Sequence, residues 1–334
     1  MKTKIAILGA GSFGTAIAKL ICSYEKYEVI LWSAVKEEIE EIKKNQEIKY
    51  LPNIKIDTDK IFLTTDSLFL KNADIIIFAV ASKYVRNVAK NISKYIKKDA
   101  IIVNVAKGLE QESFKRLSQV IYEETNSKKI VALCGPSHAE EIARFIPTTI
   151  VASCKDLKIA EYIQEILNSS FFRVYVNEDI IGVEIAAALK NIIALAVGIC
   201  DGLNLGDNTK AALMTRGLFE IARLGVFLGA KEKTFLGLAG IGDLIVTCTS
   251  GHSRNKKAGF LIGKGIEVSK ALEEVNMVVE GYYATKAAYE FSNLNKIYMP
   301  ITKELYEILY EKKDIKKSIE SLMNRKTKHE YEKF

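Results

Sequence analysis

Lys190 stands in the run Glu184-Ile185-Ala186-Ala187-Ala188-Leu189-Lys190-Asn191, a helix-forming stretch that is apolar on nearly every face. Burial disfavours an ammonium ion and moves a lysine toward neutrality, the condition for a general base near neutral pH. A lysine that snorkels to the helix edge is the ordinary alternative, and this segment alone leaves both open. Asp243 lies among glycines in Ala239-Gly240-Ile241-Gly242-Asp243-Leu244, and Ser253-Arg254-Asn255 sets a guanidinium between two small polar residues. A guanidinium offers a fork of donors that matches phosphate oxygens, so this second group reads as a phosphate clamp. Nearer the N-terminus, Gly9-Ala10-Gly11-Ser12-Phe13-Gly14 spells GxGxxG. Between a strand and a helix, such a turn holds the pyrophosphate of a dinucleotide. Gly9 permits the turn, Gly11 lets the backbone approach the phosphates, and Gly14 allows helix to pack on strand.

Two further sets are less specific. Lys107-Gly108 closes the apolar run from Ile101 to Val105, and Gly135-Pro136-Ser137-His138-Ala139 follows that from Ile130 to Cys134. Both would fall at the carboxyl ends of strands, where open α/β sheets bind ligands, although a surface lysine and a helix-capping serine fit the positions equally well. Cys248, between two threonines, has no companion base and reads as a buried thiol.

These groups need elements to hold them. Lys4 to Leu8 is a short apolar strand, Thr15 to Tyr24 has helical spacing, Val29 to Trp32 is a second strand, and Val35 to Lys44 is an exposed helix. Apolar runs at Ile75 to Val80, Ile101 to Val105, Ile130 to Cys134, Thr149 to Ser153 and Phe171 to Val176 continue the series, with helical patterns between most of them. Continuous apolar strands alternating with helices require a parallel sheet covered on both faces. From Ile185 to Gly198 the chain is almost wholly apolar, and from Asn208 onward helical periodicity dominates without a convincing strand. The expectation is an α/β chain, with a Rossmann-type, doubly wound, mostly parallel sheet over residues 1–181 and an all-α domain over residues 182–334. No internal repeat or low-complexity segment interrupts either part.

A length of 334 residues favours two cores over one, and 49% hydrophobic with 27% charged residues is globular composition. The formal charge of +7 is spread along the chain and not gathered into a basic, aromatic-interleaved face, which argues against nucleic acid as a partner. The most basic stretch, 311–334, with eight Lys or Arg against five Asp or Glu, reads as a solvated terminal helix and tail. A modest positive field still favours anionic substrates. Met1-Lys2-Thr3-Lys4 runs directly into a strand too short for a signal peptide or a spanning helix, so no transmembrane segment and a cytoplasmic location are expected. Five cysteines far apart without a CxxC pair, and only three histidines, argue against disulfides and a metal site.

Past the second strand the sequence is Trp32-Ser33-Ala34-Val35-Lys36, where an Asp or Glu would face the ribose of NAD. With no acid there, Ser33 and Lys36 are counted as cofactor candidates able to admit the 2′-phosphate of NADP, while Lys36 serves equally as an exposed helix lysine.

Taken together, GAGSFGTAIA (Gly9 to Ala18), AKGLE (Ala106 to Glu110), CGPSHAEEIA (Cys134 to Ala143), ALKNIIALAVGICDGLNLGDNTKAALMTRGL (Ala188 to Leu218), GLAGIGDLIVTC (Gly237 to Cys248) and SRN (Ser253 to Asn255) resemble the NAD(P)-dependent glycerol-3-phosphate dehydrogenase family, in its bacterial style. Several long motifs in order, through nearly the whole chain, are far more specific than the glycine turn. The resemblance implies that Ser12, Phe13, Lys107, Ala139, Arg254, Val278 and Glu280 contact NAD(P)H. It implies that Lys107, Gly135, Ser137, Lys190, Asp243, Ser253, Arg254 and Asn255, with Asn191 beside them, contact a phosphorylated triose. Lys190 would move the proton and Asp243 would orient it, in the interconversion of glycerol 3-phosphate and dihydroxyacetone phosphate that supplies phospholipid synthesis. Family members often carry Trp where this chain has Phe13, and many carry a basic residue where Ser33 and Ala34 stand, which leaves the choice of NAD or NADP open. Other dehydrogenases of the same architecture, acting on sugar acids or hydroxyacyl thioesters, are the nearest rivals, and a non-catalytic dinucleotide sensor would need no buried lysine. The oligomeric state is left open, a homodimer included.

Overall fold

In the computed structural model, which describes residues 2–327, 329 and 330, Ile5 and Ile7 of the first strand enter one apolar core while Ala6 and Leu8 enter another. The same split separates Val29 and Leu31 from Ile30 and Trp32, and Ile75 and Ile77 from Ile76 and Phe78. A strand turns successive side chains to opposite faces, so the sheet is buried on both faces at these three strands and an unbroken apolar run is what each of them needs.

The sheet has eight strands, β1 (Lys4–Leu8), β2 (Glu28–Trp32), β3 (Ile61–Thr64), β4 (Ile75–Phe78), β5 (Ile101–Asn104), β6 (Ile130–Cys134), β7 (Thr148–Ser153) and β8 (Phe172–Asn177), in the order β3-β2-β1-β4-β5-β6-β7-β8. Every neighbouring pair is parallel except β6 and β7, which run antiparallel. Between them lie α1 (Ser12–Cys22), α2 (Lys36–Asn45), α3 (Val85–Ile92), α4 (Leu117–Thr125), α5 (Ala139–Ala143) and α6 (Leu157–Leu167). Strand order reverses between β1 and β4, and ligands of open α/β sheets bind outside the carboxyl ends of strands at such a switch point. β3 was not among the expected strands. It is only four residues long, and the charged pair Asp59-Lys60 before it hides its start.

The remainder is helical: α7 (Ile180–Gly202), α8 (Asp207–Phe227), α9 (Asp243–Thr249), α10 (Arg254–Gly263), α11 (Val268–Val275), α12 (Glu280–Leu294), α13 (Pro300–Glu311) and α14 (Ile315–Met323). The chain divides into two compact units, residues 1–107 with 115–180 and residues 108–114 with 181–334. The excursion of 108–114 into the helical unit is not anticipated by a single break near residue 182. Leu109 enters the helical core, and Phe114 stacks on Phe291 with ring centroids 4.1 Å apart.

By length and composition α7 could cross a membrane, but 89% of its most apolar window is buried within the fold, so it is the core helix of its unit. Its neighbours approach very closely. A methyl group on Gly198 of α7 would lie 2.1 Å from the Lys256 carbonyl oxygen, and one on Gly259 of α10 would lie 2.0 Å from that of Leu195. Only paired glycines let the two backbones touch, and that contact fixes α10, with its polar N-terminus, against the helix that carries Lys190.

Candidate active site

In the sheet unit the glycines of the first turn divide by what they touch. Gly9 has φ of 113°, and an added Cβ would lie 2.9 Å from the Ala79 carbonyl oxygen, while one on Gly14 would lie 2.0 Å from that of Gly9. Both are demanded by the fold itself. Gly11 is different, because an added Cβ there meets no protein atom within 4 Å. The packing therefore does not require glycine there, and Gly11 stands at the N-terminus of α1, where unpaired N–H groups and the helix dipole favour an anion. Ser12 and Phe13 follow in the first turn of α1, half-buried, with Phe13 packed against the sheet core. The turn is tied to β2 by the Gly9 N–H, which donates to the Trp32 carbonyl oxygen at 2.8 Å. These features fit a dinucleotide pyrophosphate.

Two more sets lie at the carboxyl edge of the same sheet. Lys107 Nζ donates to the Gly135 carbonyl oxygen at 2.8 Å and to Ser137 Oγ at 3.3 Å, and the Ser137 hydroxyl in turn donates to Gly135 O at 2.8 Å. The loops after β5 and β6 are thus joined through one ammonium, with Ala139 buried at the start of α5 just beyond. Ser33 is buried, and its hydroxyl donates to Glu38 Oε2 at 2.6 Å. Lys36 is exposed on α2 and forms no hydrogen bond or ion pair among the described residues. The expectation of an edge without an acid therefore needs correction, because α2 returns the Glu38 carboxylate to the end of β2. Its trace in the sequence is a Glu five positions after Ser33, in the first helical turn.

In the helical unit, Lys190 is 5% and Asp243 1% exposed. Lys190 Nζ donates to Asp243 Oδ1 at 2.6 Å and to Thr247 Oγ1 at 2.6 Å. The Thr247 hydroxyl spends its own proton on the Asp243 carbonyl oxygen, 2.6 Å away, so toward Lys190 it acts as an acceptor. Lys190 is therefore not snorkelling. Desolvation opposes its charge, and the carboxylate and hydroxyl oxygens offset that cost. The positions follow from local structure: a π turn at Leu238–Gly242, built on glycines, delivers Asp243 to the start of α9, and Thr247 lies one turn later on the same face. Sequence reasoning missed Thr247, although its spacing of four from Asp243 was the available signal.

The start of α10 supplies the rest. Ser253 caps the helix by accepting from Lys256 N–H at 3.3 Å. Asn255 is buried; its amide donates to Asn191 Oδ1 at 3.0 Å, and its Oδ1 accepts from Gly281 N–H at 2.8 Å. It ties α7, α10 and α12 together. Arg254, the first residue of α10, is exposed and forms no hydrogen bond or ion pair among the described residues. Val278 and Glu280 lie half-buried at the start of α12, next to Gly281. Cys248 is 1% exposed, and burial pushes its thiol up to about 12, so no thiolate nucleophile exists there near neutral pH. Among the described residues no group of three or more His, Cys, Asp or Glu could hold a metal ion.

Comparison with known proteins extends this picture along the whole chain. Residues 4–160 match the family model described as NAD-dependent glycerol-3-phosphate dehydrogenase N-terminus, and residues 179–320 match that of the C-terminus. Glycerol-3-phosphate dehydrogenase (NAD(P)+) of Moorella thermoacetica is 50% identical over 334 residues, 99% of each chain. That of Clostridium botulinum is 49% identical over 98% of this chain and 99% of its own. Among solved structures, glycerol-3-phosphate dehydrogenase from Coxiella burnetii superposes with a TM-score of 0.92 at 35% identity, covering 97% of this chain and 99% of that one.

Proposed function

Since the chain belongs to the NAD-dependent glycerol-3-phosphate dehydrogenase family, we propose that it interconverts sn-glycerol 3-phosphate and dihydroxyacetone phosphate. The observation that carries the mechanism is the buried Lys190, held by Asp243 and Thr247. When bound, NAD(P) supplies the hydride chemistry at C2 of the substrate. Lys190 moves the proton: its ammonium donates to the oxygen that becomes an alkoxide during reduction, and its amine receives that proton during oxidation. Asp243 orients the lysine and favours its charged form, the form that donates during reduction; the role proposed for the reaction is a supply of glycerol 3-phosphate for phospholipid synthesis in the cytoplasm. Lys107, with Gly135 and Ser137, adds a positive charge and donors for the substrate. Arg254 grips the phosphate, with Ser253 and Asn255 shaping the start of α10 around it and Asn191 bracing Asn255. Binding energy from the remote phosphate then positions C2. Gly9, Gly11, Ser12, Phe13, Gly14, Ala139, Val278 and Glu280 serve the dinucleotide, and Arg254 adds to them.

The test is NADH and NADPH oxidation, followed spectrophotometrically, with dihydroxyacetone phosphate and with unphosphorylated dihydroxyacetone. We expect the phosphorylated ketone to be strongly preferred. Arg254→Ala should raise KM for it by about tenfold to a hundredfold, the range for one lost charge-assisted hydrogen bond, and Arg254→Lys should rescue only partly. An equal loss on both ketones would remove Arg254 from the phosphate site.

A further inference from the structure

We propose that Glu38 selects between the two forms of the dinucleotide, favouring the one whose adenosine ribose carries a free 2′-hydroxyl over the one that carries a 2′-phosphate. The inference rests on the dinucleotide reading of the sheet unit and adds a discriminating residue to it.

Position comes first. Ser33 is the residue immediately after β2, and its N–H donates to the Thr64 carbonyl oxygen at 3.2 Å, which fixes it to the end of β3. One residue back, Trp32 pairs with Leu8 and accepts the Gly9 N–H. The edge at Ser33 is thus joined directly to the phosphate turn, and in folds of this kind the ribose of the bound dinucleotide lies along that edge.

The chemistry there is acidic. The Ser33 hydroxyl accepts from Val35 N–H at 3.0 Å and gives its single proton to Glu38 Oε2 at 2.6 Å. Ser33 therefore has no proton left for a phosphate oxygen. Glu38 is the third residue of α2, a position from which a glutamate commonly reaches back over the start of its helix. Here the reach brings a carboxylate to the strand end, and its second oxygen has no hydrogen bond or ion pair among the described residues. That oxygen can accept from a ribose hydroxyl, whereas a phosphate dianion in the same place would meet the like charge of the carboxylate. Glu37 adds a second negative charge in the first turn of α2, and Lys36, exposed at its first position, is the one cation in that turn.

A purely structural role would make Glu38 a brace for the start of α2, and the two roles separate on binding, without turnover. Dissociation constants of NADH and NADPH are measured by calorimetric titration for the parent chain, Glu38→Gln and Ser33→Ala, with thermal unfolding as the check on folding. Glu38→Gln keeps the length and a hydrogen bond to Ser33 but loses the charge. We expect the parent to bind NADH at least about tenfold more tightly than NADPH, and Glu38→Gln to reduce that ratio by about tenfold, mainly by tightening NADPH. Ser33→Ala, which releases the carboxylate from its tether, should reduce the ratio by less. Equal binding of both dinucleotides by the parent, or tighter binding of NADPH, overturns the selection. So does a Glu38→Gln variant that weakens both by the same factor, the result of a brace alone. Binding of neither by the folded parent would overturn the dinucleotide reading itself, an outcome distinct from the others.

Discussion

In the sheet unit the turn proposed to hold the dinucleotide is six consecutive residues, Gly9 to Gly14, whereas in the helical unit Lys190 meets a carboxylate 53 positions away. The first site is made of backbone: N–H groups at the start of α1, space above Gly11, and a strand end that any apolar strand would provide. The second is made of side chains whose charges would be costly in isolation and are tolerable only because they meet. A site built from backbone depends on local conformation. A site built from buried charges depends on the packing of the whole unit around it.

The largest expected effect tests this division at its sharpest point. Lys190→Ala should cost about 10²- to 10⁴-fold in kcat, the usual contribution of a general acid or base, while dinucleotide binding to the sheet unit is unchanged. Steady-state kinetics beside a binding titration check both halves. A loss of only a few-fold in kcat would place the proton transfer elsewhere, and a parallel loss of binding would break the comparison.

A smaller effect separates the glycines. Gly14→Ala puts a methyl group 2.0 Å from the Gly9 carbonyl oxygen, so we expect about 1–3 kcal/mol of lost stability together with lost dinucleotide affinity. Gly11→Ala meets nothing within 4 Å and should leave the unfolding midpoint unchanged while weakening the dinucleotide. Similar unfolding midpoints for the two variants would show that Gly14 is no more structural than Gly11.

The last effect, seen only as a dependence on pH, concerns a second buried ionisable group in the helical unit. Glu220 is 3% exposed, and its carboxylate accepts from the N–H groups of Ile301 at 2.6 Å and Thr302 at 3.1 Å at the start of α13. Burial pushes its carboxyl up from 4.5 to about 7, against the opposing pull of those N–H groups. A carboxyl raised in the folded state costs stability as pH climbs between its unfolded and folded values, here from about 4.5 to about 7. Glu220→Gln does not titrate, so its stability should gain on that of the parent across that interval and hold the gain at higher pH, as read from urea melts. Curves that stay parallel would mean that the helix N–H groups fully offset desolvation. Lys190 and Glu220 are both buried ionisable groups, and only their partners tell them apart: one pairs with a carboxylate and a hydroxyl, the other braces a helix.

Much of the first unit could be read directly. The strands at Lys4–Leu8 and Ile130–Cys134 have the expected bounds, because each is an apolar run closed by glycine and buried on both faces. β3 escaped, since four residues with an exposed Phe62 give too short a pattern. Glu38 escaped for another reason. The expectation looked for an acid adjacent in sequence to the strand end, and a helix turn brings one back from five residues further on.

By itself, the sequence determined the features that local pattern dictates: the alternation of strands and helices, the turn at Gly9 to Gly14, and an apolar helix with one lysine in it. Only the tertiary structure decided what that lysine faces, which hydroxyl joins it, and where Glu38 points. Periodicity and turn chemistry act over a few residues and leave their mark in composition. The pairing of buried charges is enforced by the cost of leaving either one alone, and that cost exists only once α7 and α9 have packed.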